Sequence, residues 1–185
     1  MSDESLLTAI ANGDEQAMQR FFSQYANDVY RFVMGRCGDS HLASDILNVV
    51  MLDVWRQADR FQGRSKVTTW LMGIARHKLI DHYRREQRHQ HDELDTATVD
   101  PAPPSEQVVA AAQHAEWVKR CLEGLGGLQR DIVHLAFYQD MAYPEIAEIV
   151  ECPVGTVKSR MFHAREALRR CLEKLGAGEE ARAFS

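Results

Sequence analysis

Residues 152–170, CPVGTVKSRMFHAREALRR, have the pattern of a helix that reads DNA. Lys158, Ser159, Arg160 and His163 lie near its start, where a recognition helix in the major groove presents its base-reading side chains. Apolar residues recur at spacings of three and four on another face, as expected of a packed stripe: Val157, Met161, Ala164, Leu168, Leu172 and Leu175. The stretch AYPEIAEIVE precedes it and predicts a helix-turn-helix, with Pro153 in the turn.

An ordinary helical hairpin with a cationic exposed face would share much of this pattern. The charges favour the DNA-reading interpretation, because no acid lies between Gly155 and Arg165. The same segregation extends along the chain, whose formal net charge is −5. Residues 56–88 hold nine Lys and Arg against three acids, residues 89–116 hold six acids and no Lys or Arg, and residues 156–174 hold six Lys and Arg against two Glu. Two basic patches flanking an acidic spacer are typical of a protein that attracts DNA through local patches.

Composition predicts a two-module, all-α protein. Residues 1–90 form the first helical module, residues 91–107 a flexible acidic linker rich in proline, residues 108–176 the second module, and residues 177–185 a frayed tail. At 185 residues with 45% apolar content, two compact cores are expected. There is no apolar run of membrane-spanning length and the N-terminus is acidic, so we expect a cytoplasmic protein without membrane insertion.

The four cysteines, Cys37, Cys121, Cys152 and Cys171, are scattered and form no CxxC pair, so reduced, partly buried thiols are expected. Apolar residues at spacings of three and four predict helices over residues 3–11, 14–36, 41–59 and 67–90 in the first module. In the second helix the apolar face is expected to include Phe21, Phe22, Tyr25 and Val29. The fourth helix has an apolar stripe that includes Trp70, for which core packing is favoured over base stacking.

At this point the chain resembles an extracytoplasmic-function (ECF, group IV) sigma factor of the sigma-70 family, with regions 2 and 4 only. The likeness covers about residues 5–175. In region 2 it rests on RFQGRSKVTTWLMGIARHKLIDHYRR over residues 60–85, which is close to the family pattern RF-x-G-x-S-x-x-TWL-x-x-IA-x-N-x-x-x-D-x-x-RR. In region 4 it rests on YPEIAEI over residues 143–149 and PVGTVKSR over residues 153–160.

The resemblance implies a protein that binds core RNA polymerase, at the β′ clamp and the β flap, and promoter DNA. It implies a duplex −35 element recognised by Thr156, Lys158, Ser159, Arg160, His163 and Arg165. It also implies a −10 element recognised as a melted strand with an extruded base, by a loop of Gln62, Gly63, Arg64, Ser65 and Lys66 and by a basic helix with Arg76, His77, Lys78, Arg84 and Arg85. The clamp would be contacted by Ser44, Asp45, Asn48, Val49 and Asp53.

The chain departs from the family pattern at three places. His77 stands where the −10 helix commonly has Asn, and His163 stands where region 4 often has Arg. The clamp-facing stretch usually reads close to AEDLVQE, whereas here Ser44 and Val49 replace both glutamates. Ser44 is therefore a candidate phosphorylation site, because a phosphate would restore negative charge. An anti-sigma factor and a Ser/Thr kinase remain alternative regulatory partners, and a plain surface serine is the simpler interpretation.

The alternative is a free-standing helix-turn-helix regulator of transcription, but that function does not explain the motif over residues 60–85. No catalytic residue, cofactor or metal site is expected. His77 and His82 lie five residues apart on a helix, so they diverge in direction, and their surroundings are cationic.

Overall fold

The computed structural model of the protein describes residues 2–89 and 106–176. Regular secondary structure in these residues is entirely helical, which confirms the all-α prediction. The first module contains α1 (Asp3–Ala11), α2 (Glu15–Cys37), α3 (Ser40–Gln57), a 3-10 turn (Ala58–Arg60) and α4 (Val67–His89). The second contains α5 (Glu106–Glu123), α6 (Gly127–Phe137), α7 (Tyr143–Val150) and α8 (Val154–Lys174).

Of the predicted linker, residues 91–105 lie outside the described residues, and α5 begins at Glu106. The predicted tail, residues 177–185, also lies outside them. Among the described residues, none of the helices has the length and apolar character needed to cross a membrane.

The helix boundaries of the first module follow from capping side chains. Asp14 accepts a hydrogen bond from the Ala17 N–H at 3.0 Å and begins α2. Gly38 ends that helix in the left-handed conformation, at φ 69°, which a glycine adopts without a Cβ penalty. Asp39 then accepts from two backbone N–H groups and begins α3. The α2–α3 corner is therefore short, and it places α3, with the predicted clamp surface, beside α2.

Helices α2, α3 and α4 bury their apolar stripes against one another, and α1 packs on α2 and α3. Phe21, Val29 and Phe32 are fully or almost fully buried along α2. The expected burial of Phe22 is wrong, since this side chain is 41% exposed. One residue along a helix corresponds to a rotation of 100°, which carries position 22 away from the stripe that contains Phe21.

In the second module, α5, α6 and α7 all pack against α8. The turn between α7 and α8 passes through Glu151 in the left-handed conformation, at φ 55°. Cys121 of α5 and Cys171 of α8 form a disulfide bond, which corrects the expectation that all four cysteines are reduced. Cys37 and Cys152 are free thiols. The partners are 50 residues apart, so only the packing of α5 on α8 brings them together.

The two modules do not have separate cores. A single continuous cluster of buried side chains includes residues of both, and the main contacts between the modules join α4 to α7 and α2 to α6. The sequence predicted two cores, because its apolar content suffices for two and the acidic spacer between them lacks aliphatic periodicity. This docking of the second module onto the first determines which predicted site residues face solvent.

Candidate nucleic-acid interface

The recognition helix α8 presents a polar face to solvent. Its buried stripe is as predicted, with Val157 and Ala164 fully buried and Met161 2% exposed. Lys158, Ser159 and His163 are exposed, while Thr156, Arg160 and Arg165 are partly buried. The Ser159 hydroxyl donates to the Thr156 carbonyl at 3.1 Å, which orients it along the first turn. The six residues predicted for −35 recognition thus lie together along the first three turns of one helix.

Sequence reasoning missed Phe162. It is 67% exposed, the largest exposure among the large apolar side chains of the described residues. Its ring meets that of His163 edge-on, at a centroid distance of 5.6 Å. Apolar side chains on a recognition helix can contact the methyl group of thymine. The exposure of Phe162 could have been predicted from the sequence, because position 162 lies off the apolar stripe and next to the predicted base readers.

The loop before α4 is exposed at Gln62, Gly63 and Arg64, and Gly63 has a φ of 66°. Beyond it, the predicted basic surface of α4 is only partly open. Arg84 and Arg85 near the end of α4 are exposed, and Arg84 lies 3.7 Å from Asp81. Lys78 instead forms an ion pair with Asp53 of α3. Two residues that the resemblance assigns to different surfaces, one for DNA and one for the clamp, therefore pair with each other.

Three further cations of this surface face acids of the second module. Lys66 Nζ lies 2.8 Å from Glu145 Oε1. His77 Nε2 lies 3.0 Å from Glu151 Oε1, an ion pair when the imidazole is protonated. The Lys66 ammonium, followed by the Ala142 N–H, lowers the pKa of Glu145 below its ordinary value. Glu145 is thus held as a carboxylate at the edge of the predicted −10 surface.

The third cation, Arg76, meets a buried carboxylate that sequence reasoning did not identify. Asp131 of α6 is 2% exposed and lies between two arginines of the first module. Arg76 Nε donates to Asp131 Oδ2 at 3.0 Å, and Arg36 Nε donates to Asp131 Oδ1. Bonding to both oxygens satisfies the carboxylate in a buried environment, where a lone charge would be very costly.

His134 lies one turn beyond Asp131 on α6 and is 4% exposed. Burial, followed by the charge of Arg36, lowers the pKa of His134 from 6.5 to about 4, so the imidazole is neutral. Its ring packs against α2 at Gly35, where an added Cβ would lie 2.3 Å from His134 Cε1. A side chain at position 35 would therefore force the His134 ring to shift.

A cavity of about 310 Å³ lies between α4 and α7. Ser65, Trp70 and His77 of the first module line it, and Glu148 and Ile149 close it from the second module. Trp70 is partly buried and packs edge-on against Phe61 at 5.5 Å, so it is a packing residue that also reaches the cavity. Thr69 also lines the cavity, is 3% exposed, and its hydroxyl has no hydrogen-bond partner among the described residues. The Thr69 hydroxyl is itself buried, and sequence reasoning did not identify it.

The predicted clamp surface lies on α3. Ser44, Asp45 and Asn48 are exposed, and the Ser44 hydroxyl donates to the Ser40 carbonyl at 2.9 Å. Val49 is 45% exposed, and so is Leu52 on the same face. This surface is thus more apolar than a clamp-facing helix with two additional glutamates would be.

Within residues 2–89 and 106–176, no cluster of His, Cys, Asp and Glu could hold a metal ion. His77 pairs with Glu151, whereas His82 lies 3.4 Å from Glu86, so the two histidines have different partners.

The protein has two surfaces suited to DNA on its two docked helical modules. One is an exposed helix-turn-helix, and the other is a basic loop followed by a basic helix. This combination is typical of a two-part promoter-binding protein. Family models for Sigma-70 region 2 and Sigma-70 region 4 match residues 21–89 and 115–168. The ECF RNA polymerase sigma factor SigK of Mycobacterium tuberculosis (strain ATCC 25618 / H37Rv) is 30% identical over 174 residues, which span 92% of this chain and 93% of SigK. The chain belongs to the ECF sigma factors of the sigma-70 family. It is a subunit that binds core RNA polymerase, recognises a promoter and initiates transcription.

Two solved structures share the fold. CnrH, in complex with the cytosolic domain of CnrY, aligns with a TM-score of 0.72 and 20% identity over 93% of this chain and 97% of CnrH. The sigma factor RpoE from Bartonella quintana, in complex with the anti-sigma factor NepR, aligns with a TM-score of 0.69 and 21% identity over 84% of this chain and 96% of RpoE.

Proposed function

We propose that α8 reads the −35 element through Lys158, Ser159 and His163, with Phe162 as an apolar base contact. The observation that carries this proposal is the exposed polar face of α8, which has no acid in its first turns. Arg160 and Arg165 hold the phosphates, which position the helix without reading sequence. The protein acts as a specificity factor in the cytoplasm, with polymerase, and catalyses no reaction of its own.

The −10 element is bound by the first module. Residues 62–66 and His77 surround the extruded base. Arg76, Lys78, Arg84 and Arg85 follow the backbone of the melted strand. The cavity beside Ser65 and His77 supports this assignment, since it joins polar groups to the apolar wall of Trp70.

Run-off transcription with purified core polymerase tests the function. The protein is added to core enzyme with fragmented genomic DNA from the source organism, and transcript start sites are mapped. We expect starts preceded by one shared pair of −35 and −10 sequences. A control with Lys158→Ala should lose starts that depend on the −35 sequence. Starts that are the same with and without the protein would refute the proposal.

The α3 surface contacts the β′ clamp, and region 4 contacts the β flap. Asp45 is the one acid that remains exposed on the predicted clamp surface, because Asp53 is paired with Lys78. The unmodified protein is therefore expected to bind core polymerase weakly. A phosphate on Ser44 adds about −1.5 to −2 charge at pH 7, which favours pairing with clamp arginines. Ser44 is accessible to a kinase, since it is exposed.

This regulatory proposal is tested by the affinity for core polymerase of the wild type, Ser44→Glu and Ser44→Ala. Val49→Glu restores one acid without using Ser44 and is the matched control. Ser44→Glu and Val49→Glu should both bind more tightly, whereas Ser44→Ala should match the wild type. Tight binding by the unmodified wild type, with no gain in Ser44→Glu, would exclude phosphorylation. The alternative regulator is then an anti-sigma factor, the kind of partner with which RpoE was solved.

A further inference from the structure

A cavity of about 630 Å³ lies between α2 of the first module and α5 and α6 of the second. Pockets that bind small organic molecules have volumes of roughly 300–1,000 Å³. Met34 of α2 and Val118 and Leu122 of α5 give the cavity an apolar wall. Ala115 and Lys119 also line it and are exposed, so the cavity opens to solvent on the α5 side. Its lining includes none of the residues proposed to contact DNA or the clamp, so promoter recognition does not account for it.

Two residues that line the cavity each have a buried polar atom with no hydrogen-bond partner among the described residues. The atoms are Nε2 of His134, a residue that is 4% exposed, and Nε of Arg130. Both residues belong to α6 and are four positions apart, so they lie on one face with their Cβ atoms about 5–6 Å apart. Buried polar atoms nearly always have a partner, so two unpartnered atoms side by side point to a ligand.

The two atoms need opposite partners. Arg130 Nε can only donate a hydrogen bond. His134 has a hydrogen bond with the Gly35 backbone that favours the protonated ring, and this bond is therefore one that His134 donates. A neutral imidazole that donates from one nitrogen accepts at the other, so His134 Nε2 is an acceptor. The head group of a matching ligand therefore has an acceptor for Arg130 and a donor for His134.

The charges around the cavity favour a negatively charged acceptor. The lining contains four cationic side chains and one acid: Arg31, Arg36, Lys119, Arg130 and Glu123. Arg36 is paired with Asp131. Arg130 Nη2 instead donates to the uncharged backbone carbonyls of Glu123 and Leu125. Burial, followed by the charge of Arg36, lowers the pKa of Arg130, and an anion beside its guanidinium would offset both effects.

We propose that this cavity binds a small carboxylic acid that has an apolar body and a hydroxyl group near its carboxylate. The carboxylate accepts a hydrogen bond from Arg130 Nε, and the hydroxyl donates one to His134 Nε2. The apolar body packs on the wall that Met34, Val118 and Leu122 form. This binding site is separate from the promoter-binding surfaces and does not depend on the function proposed for them.

The probe is 3-hydroxydecanoate, titrated into the full-length protein below its micelle concentration and followed by calorimetry. Two analogues test the two head-group contacts, since decanoate lacks the hydroxyl and methyl 3-hydroxydecanoate lacks the charge. We expect decanoate to bind about fivefold more weakly, which is the effect of one hydrogen bond. The methyl ester should bind about 20-fold more weakly, because hydrogen bonds to charged groups are stronger.

The variants test the residues. His134→Phe removes the acceptor and keeps an aromatic ring beside Tyr138, so 3-hydroxydecanoate and decanoate should bind it equally. A merely structural role of His134 would not remove this discrimination. Ala115→Leu fills the cavity from an exposed position and should weaken the binding of both acids about tenfold, and it decides the question if His134→Phe does not fold. Gln113→Leu is the matched control, because Gln113 is exposed on α5 and does not line the cavity.

The two free thiols report where the ligand lies. Cys37 lines the cavity, whereas Cys152 lies between α7 and α8 and does not. Bound 3-hydroxydecanoate should slow the alkylation of Cys37 by iodoacetamide and leave that of Cys152 unchanged, as measured by peptide mass spectrometry.

Absence of both titration heat and Cys37 protection would overturn the proposal and leave the cavity as a hydrated crevice only. Equal protection of both thiols, or unchanged affinity in Ala115→Leu, would also overturn it, because the acid would be binding elsewhere. Equal affinity of the wild type for 3-hydroxydecanoate and its methyl ester would refute the carboxylate contact, and equal affinity for decanoate would refute the hydroxyl contact.

Discussion

Reduction of the disulfide between Cys121 and Cys171 should destabilise the second module. The bond joins α5 to α8 across a loop of 50 residues. A cross-link stabilises a fold mainly because it lowers the conformational entropy of the unfolded chain. The decrease is about 2.1 + 1.5R ln n cal/mol/K for a loop of n residues. For this loop the entropy decrease is about 14 cal/mol/K, which adds about 4 kcal/mol to the free energy of unfolding at 25 °C.

Urea unfolding measures this change. Trp117 lies on α5, one turn before Cys121, so its fluorescence reports on the second module once Trp55 and Trp70 are replaced by Phe. Addition of a phosphine reductant should lower the free energy of unfolding by about 4 kcal/mol with little change in the denaturant slope. The recognition helix depends on this packing, so −35 DNA affinity at elevated temperature should fall with it.

Two variants control the experiment. Cys121→Ala with Cys171→Ala should already be destabilised and should not respond to the reductant. Cys37→Ala with Cys152→Ala removes both free thiols and should retain the full response. Identical unfolding midpoints for the oxidised and reduced protein would refute the reasoning, and so would a mass that shows four free thiols before the reductant is added.

Three further predictions concern the site. Lys158→Ala should cost about 1–3 kcal/mol of −35 binding and relax preference at one or two adjacent base pairs in a randomised-promoter assay; an unchanged preference would contradict the assigned role. His77→Asn should shift the base preference at one −10 position and leave polymerase binding intact, whereas equal loss on every −10 variant would indicate a structural role. Acidification should separate the modules, because the pKa of His134 is about 4 when docked and ordinarily 6.5. The separated form binds the proton more readily between these values, so docking weakens as the pH falls through this range, seen as a larger radius of gyration that His134→Gln should abolish.

The helices and the exposed face of α8 could be predicted from the sequence because both depend on local periodicity. The stripe of Val157, Met161 and Ala164 fixes which side of α8 is buried, and the base readers follow from the remaining positions. Helix boundaries were predicted to within about two residues, since capping residues such as Asp14 and Asp39 lie next to each start. Phe22 was wrongly predicted to lie on the buried face. It follows Phe21, which belongs to the apolar stripe, and the sequence pattern did not separate the two residues.

The contacts between modules could not be predicted in this way. Asp131 and Arg76 are 55 residues apart, and Asp131 and Arg36 are 95 apart. Neither pair has a spacing that periodicity can detect, and each residue alone is typical of a solvent-exposed helix face. The disulfide between Cys121 and Cys171 could not be predicted for the same reason. Long-range pairing depends on how the two modules dock, which no local pattern records.

Docking also explains a feature that the charge distribution alone leaves open. The first module has a strong excess of positive charge over residues 56–88, and acids of the second module pair with three of the residues predicted to bind the −10 strand, Lys66, Arg76 and His77. On the same docked module, α8 keeps Lys158 and His163 exposed. Charge on the second module is therefore divided between two faces, acids that face the first module and a basic face on α8 that is proposed to read the −35 duplex. Replacement of Glu145 and Glu151 by Gln should therefore weaken the docking of the modules, measured as a larger radius of gyration, and leave −35 sequence preference unchanged, whereas Lys158→Ala should change that preference and leave the radius unchanged.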